Sequence, residues 1–330
     1  MPMTPDTQSR RSSPMRLVKA AIGAAVVFMA ISVALAPHWE PAWIASFQVV
    51  AFFRRLAAFP EAVRDRDPRC SVGKAWSASS ASEQVLIVRR LKRETRQGRL
   101  DHGLRLMETP SGNYWIPERD TATFFTELSE QGTNIYDYAG RGVQPGDVVL
   151  DCGANVGVYT RHALERGAKL VVAIEPAPES LECLRRTFQK ETGAGRVIIY
   201  PKGVWDKDDE LEMSISAAFA STAASVALDR GGRGVKVPLT TIDKLVEELK
   251  LERVDFIKMD IEGAEKQALQ GALRTVARFR PGMAIALEHR PSDPDEIPAL
   301  VQQLWPRYSL EFGRCVVADG RLRPDILMAH

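Results

Sequence analysis

Three short stretches of this 330-residue chain place reactive side chains where an apolar run gives way to a helical one. The first is Asp151-Cys152-Gly153-Ala154-Asn155-Val156-Gly157, in which Gly153 and Gly157 allow close backbone approach and the next helix offers free N–H groups to a ligand. Its G-x-x-x-G spacing is not the G-x-G-x-x-G of dinucleotide enzymes, which disfavours a nicotinamide cofactor. The second is Glu175, at the end of the following apolar run, where a carboxylate can accept both hydroxyls of a ribose. The third runs from Val254 to Glu265 and puts Asp260 and Glu262 at a strand end, with Glu265 one helical turn beyond and Asp255 in a structural place at the strand start. Acids so placed can remove a hydroxyl proton or hold Mg²⁺ through oxygen; at a helix start they can also simply complement the macrodipole. His289, after Glu288 at the end of a later run, is a third candidate base because imidazole titrates near neutrality.

Those residues need a scaffold of alternating strands and helices. From Asp147 the chain supplies one: apolar runs at 148–153, 170–176, 196–200, 254–260 and 283–288 alternate with amphipathic stretches through Arg166, at 178–191, at 241–250 and at 263–277. Continuous apolar runs of this length are strands buried on both faces, so the pattern predicts a doubly wound α/β fold with a mostly parallel sheet. Upstream, Leu104–Met107 and Tyr114–Ile116 read as a hairpin, followed by a helix near Ala122–Tyr138. The tail from Tyr308 to Leu322 reads as a final antiparallel hairpin, and the small, Ser- and Gly-rich segment 213–233 as a lid over a ligand.

The front of the chain has another character. Ala20 to Ala36 carries no charge, follows Arg10, Arg11, Arg16 and Lys19, and reaches roughly 25 Å as a helix, enough for a membrane anchor or the core of a signal peptide. Trp43 to Phe53 is too short to span and suits an interfacial segment or a returning limb. Arg89, Arg90, Lys92, Arg93, Arg96 and Arg99 are expected on one helix from about Ser82, either facing lipid or simply solvated. The formal net charge is only +2, yet Met1–Arg105 holds 17 basic and 8 acidic residues while the rest is acidic overall. Such a balance gives no case for a nucleic-acid partner. Cys70, Cys152, Cys183 and Cys315 show no paired spacing, which points to free thiols in a reducing compartment. The organisation expected is thus an anchor and interfacial segment over 1–70, a linker, basic helix and cap hairpin over 71–140, and a catalytic domain over 141–330.

Asp151–Gly157, Glu175-Pro176, Thr240–Leu245, Val254–Glu265 and Ala286–Pro291 resemble successive blocks of the FkbM family of S-adenosylmethionine-dependent methyltransferases. The resemblance spans about 146–291. It implies a seven-stranded Rossmann-like sheet and methyl transfer to an oxygen, with Asp151, Gly153, Asn155 and Gly157 at the amino-acid end of the cofactor, Glu175 at its ribose and Asp206 near its adenine. With the anchor, it leads to an expected O-methyltransferase acting on a sugar, glycan or lipid-linked glycoconjugate, its body facing the cytosol, with Asp260, Glu262 and His289 as catalytic candidates and Mg²⁺ as an optional aid. The alternatives are a nicotinamide oxidoreductase and an inactive membrane scaffold.

Overall fold

The computed structural model describes residues 64, 66–78, 82–137, 140–215, 233–318 and 321–330. The anchor run, the Trp43–Phe53 segment and nearly all of the expected lid lie outside the described residues. Among the described residues, no helix is long and apolar enough to cross a membrane.

The catalytic sheet grows from runs with no polar alternation. β4 (Val148–Cys152), β5 (Leu170–Ile174), β6 (Val197–Tyr200), β10 (Phe256–Met259) and β11 (Gly282–Ala286) are parallel neighbours, and β12 (Leu310–Phe312) and β15 (Ile326–Ala329) complete seven strands in the order β12-β15-β11-β10-β4-β5-β6. β15 runs antiparallel between β11 and β12, so the sheet is mixed. Leu150, Ile257, Met283 and Leu327 are fully buried within it, each worth about 1.5–3 kcal/mol of transfer free energy. Helices α4 (Val158–Glu165), α5 (Pro178–Thr187), α6 (Gln189–Gly193), α7 (Ile242–Glu248), α8 (Glu265–Gln270), α9 (Leu273–Phe279) and α10 (Asp293–Leu304) connect the strands. Thr241 caps α7 by accepting the Lys244 N–H at 3.0 Å.

Several expectations change. The single helix over 263–277 is two, parted at Gly271, where the chain passes so close to the Trp205 carbonyl that a Cβ would overlap it. The segment after β6 forms a second sheet, β7 (Gly203–Val204), β9 (Arg233–Thr240) and β8 (Asp209–Ile215), paired in that order. Upstream, the linker-like stretch after Cys70 contains α1 (Val72–Ala78). The basic helix α2 (Ser82–Glu94) ends before Arg96 and Arg99, which lie on β1 (Arg96–Asp101) in a three-stranded sheet with β2 (Leu104–Thr109) and β3 (Gly112–Pro117). This cap continues into α3 (Thr121–Gly132) and packs Tyr114, Phe124 and Phe125 against Val158 and Cys183 of the catalytic half.

The free-thiol reading is corrected for two of the four cysteines. Cys70 and Cys315, 245 residues apart, form a disulfide that ties α1 to the hairpin of β13 (Cys315–Ala318) and β14 (Arg321–Pro324). Sequence distance hid the pair; only the hairpin brings the two together. Cys152 and Cys183 are free and buried.

Candidate active site

A cleft opens along the carboxyl edge of the sheet, where the strand order reverses between β4 and β10. Sheet order sets the sequence of its walls: Asp260 to Glu262 after β10, Gly153 to Asn155 after β4, Glu175 and Pro176 after β5, then Gly203 and Val204 beyond β6. Three strand spacings make this row about 14 Å long.

Gly153 has φ +81°, and a side chain there would overlap the carbonyl oxygen of Asp260. The Asp260 N–H in turn donates to the Cys152 carbonyl at 3.1 Å. Gly153 therefore locks the two strand ends together, and Asp260 owes its position to that contact. At Gly157 the constraint is packing too: with φ +91°, it admits the Phe188 ring where a Cβ would stand. Asn155, at φ +47°, uses its side chain between Glu127, to which Nδ2 donates at 2.8 Å, and the Ser180 hydroxyl, from which Oδ1 accepts at 3.2 Å.

Asp151 lies beneath the cleft, not on its wall. It is wholly buried, accepts from the Thr160 hydroxyl at 2.6 Å and sits 3.3 Å from Lys258 Nζ. Lys258 also donates to the Gly153 carbonyl at 2.8 Å. Burial opposes the Lys258 charge, but Asp151 and Asp260 more than offset it and hold its pKa above the ordinary value.

Glu175 accepts the N–H groups of Asn155 at 3.0 Å and Ala177 at 2.8 Å. A carboxylate has about four acceptor sites, so two remain for a ligand. Burial pushes its pKa up to about 7, against the pull of those two N–H groups. Asp206 is exposed and is not part of the cleft wall; the chain leaves the cleft at Val204, where the Trp205 N–H pairs with the Thr240 carbonyl.

At the other end, Asp260 accepts from the Tyr136 hydroxyl at 2.7 Å. Burial raises the Asp260 pKa, but Lys258, His289 and Tyr136 together bring it below the ordinary value, so the group is a carboxylate at neutral pH. His289 stands behind the wall: Nε2 is 3.4 Å from Asp260 and 3.8 Å from Glu262, and Nδ1 is 2.9 Å from Glu265. Burial works against its charge, yet the surrounding carboxylates raise its pKa to about 10. As an imidazolium at neutral pH it has no lone pair with which to take a proton. Arg323 fixes this segment by donating to the Glu288 and Arg290 carbonyls.

Several wall residues escaped the sequence reading, among them Glu127 and Glu130 of α3, Tyr136 and Lys258. Lys258 was detectable as the lone charge inside an apolar strand. The two glutamates share a helix face at i, i+3, but nothing local says that the face meets the sheet edge. Burial raises the pKa of both, that of Glu130 to about 7.

Residues 151–308 match the family model of the methyltransferase FkbM domain. Over that stretch, just under half of the chain, it is similar to FkbM methyltransferases. The 31-O-demethyl-FK506 methyltransferase FkbM of Streptomyces tacrolimicus is 26% identical over 164 residues, 41% of this chain and 63% of the relative. The hexuronic acid methyltransferase AglP of Haloferax volcanii is 27% identical over 158 residues, 48% of this chain and 62% of the relative. The chain thus spans a little less than two thirds of these two relatives. The crystal structure of methyltransferase FkbM from Methylobacillus flagellatus is 18% identical with a TM-score of 0.48, covering 84% of this chain and 60% of that one. The matched region holds most of the seven-stranded sheet, and its blocks at 151–157 and 254–265 are the two that Gly153 locks together.

Proposed function

We propose that this protein is an S-adenosylmethionine-dependent O-methyltransferase acting on a hydroxyl of a sugar, glycan or lipid-linked glycoconjugate. The observation that carries the reading is one continuous cleft joining Glu175, with two acceptor sites to spare, to the ionised Asp260 two strands away. The row of walls suits an extended nucleoside with an amino-acid arm: Gly203 and Val204 for the base, Glu175 for the ribose, Gly153 to Asn155 for the arm. The two relatives, an O-demethyl-compound methyltransferase and a hexuronic acid methyltransferase, support an oxygen acceptor.

S-adenosylmethionine, when bound, supplies an electrophilic methyl on a cationic sulfonium. The protein's task is then alignment and proton removal. Asp260 accepts the hydrogen bond of the incoming hydroxyl and takes its proton as the C–O bond forms. Tyr136, whose hydroxyl burial keeps protonated, fixes the orientation of that carboxylate. Glu262 adds negative charge on the same wall, which favours the sulfonium electrostatically.

Tethering by the apolar run at 20–36 is part of the proposal, as is a body on the cytosolic side, where this cofactor is made. The Cys70–Cys315 disulfide weighs against a cytosolic body, since such bonds persist in oxidising compartments. One experiment addresses activity and side together. Purified protein should bind S-adenosylhomocysteine and not NADH in calorimetry, and methyl-labelled cofactor should label the membrane or glycan fraction of lysed cells but not of sealed ones. NADH binding would favour the oxidoreductase, and label entering sealed cells' outer surface would place the body outside.

A pH effect follows from Glu175. Its folded pKa of about 7 means that the carboxylate form, which accepts the ribose hydroxyls, is lost as pH falls through neutrality. Affinity for S-adenosylhomocysteine should rise about tenfold from pH 6 to pH 8, as one group with this pKa dictates, and Glu175→Gln should flatten the profile. A wild-type profile that is already flat would remove Glu175 from the ribose site.

A further inference from the structure

Behind the Asp260 end of the cleft lie two side chains, Glu265 and His289, that the transfer step does not use. Glu265 is buried to 1% exposure; its Oε1 accepts the Ile261 N–H at 2.9 Å, and its Oε2 has no hydrogen-bond partner. His289 Nδ1 is 2.9 Å from Glu265 Oε1 but lacks the alignment of a hydrogen bond. Its Nε2 looks toward Asp260 Oδ1 at 3.4 Å and Glu262 Oε2 at 3.8 Å. One donor atom each from Asp260, Glu265 and His289 can be chosen so that all lie within 4.8 Å of one another, the spread of donors around a single ion.

A buried carboxylate oxygen without a partner is costly, and three carboxylates around one imidazole leave an excess of negative charge. A divalent cation among these donors would offset that charge. We propose that Asp260, Glu265 and His289 form a binding site for one divalent metal ion, which displaces a ring proton of His289 on binding, with Glu262 near enough to join on a small movement. One imidazole among oxygen donors suits a first-row transition ion such as Mn²⁺, Fe²⁺ or Zn²⁺ better than Mg²⁺ or Ca²⁺, which prefer oxygen alone. The ion sits behind the wall and holds Asp260 and Glu262 in place. Its value to catalysis rests on the proposed methyl transfer; its binding does not.

The test uses the full chain, stripped with a chelator and titrated with Mn²⁺ while free Mn²⁺ is followed by electron paramagnetic resonance. The expected result is one bound Mn²⁺ per chain, weakened at least about tenfold by Glu265→Gln and by His289→Gln, and unchanged by Glu252→Gln on the exposed surface. Calorimetry with S-adenosylhomocysteine on the same samples reports separately on the cofactor site. Should the two variants not fold, pulsed resonance of the wild type must show coupling of Mn²⁺ to a single imidazole nitrogen. Absence of stoichiometric Mn²⁺, absence of that coupling, or normal Mn²⁺ binding in either folded variant would each overturn the site.

Discussion

Replacing Lys258 by methionine is expected to destabilise the protein by about 3–5 kcal/mol, the range for breaking a buried ion pair by removing one partner. The buried side chain runs from β10 to the floor of the cleft, where Nζ meets Asp151 at 3.3 Å and the Gly153 carbonyl at 2.8 Å. Methionine fills much of the same volume, so the loss is electrostatic. Asp151, at 0% exposure, would keep only the Thr160 hydroxyl as a partner. The pairing of a removed cation with a stranded anion makes a specific forecast: Asp151→Asn in the Lys258→Met background should recover part of the loss, although it is itself destabilising in the wild type. Urea unfolding of the four proteins forms the cycle. A single-variant cost below about 1 kcal/mol, or strictly additive costs, would show that the pair contributes little.

How much of this was legible beforehand depended on whether a residue's neighbours come from its own strand end. Asp260, Glu262, Gly153, Asn155 and Glu175 were found because open α/β sheets gather their carboxyl ends into one crevice, and a strand followed by a helix announces such an end. Asp151 sits in the same block, but side chains alternate along a strand, and the pairing with Lys258 that draws it under the cleft comes from β10, 107 residues later. Asp206 was expected near the adenine from the family resemblance alone; β7 and β9 pair beside it and carry the chain away. Glu127, Glu130 and Tyr136 lie before the first sheet strand, and only the packing of the cap on α4 and α5 brings them to the wall. His289 was recognised by type, but its protonation depends on three carboxylates whose convergence is a property of the folded chain.

Asp260→Asn is expected to lower turnover by about 10²–10⁴-fold, the usual contribution of a positioned proton acceptor, and to leave S-adenosylhomocysteine binding nearly unchanged. The substitution is chosen to keep shape: an amide oxygen can still accept from the Tyr136 hydroxyl now 2.7 Å from the carboxylate, so the wall should not collapse. What it removes is the capacity to take a proton. The Asp260 pKa lies below the ordinary carboxylate value, so the group stays ionised well below neutrality and its titration should not appear as a limb of the rate profile near pH 7. Glu262→Gln is the comparison, because Glu262 shares the wall and the left-handed turn after β10, at φ +58°, without the Tyr136 contact. Single-turnover methyl transfer with both variants separates the roles: a deep loss in Asp260→Asn with a shallow one in Glu262→Gln assigns the proton to Asp260. The reverse order would move the base to Glu262, and undiminished turnover in both would mean that the acceptor loses its proton to solvent.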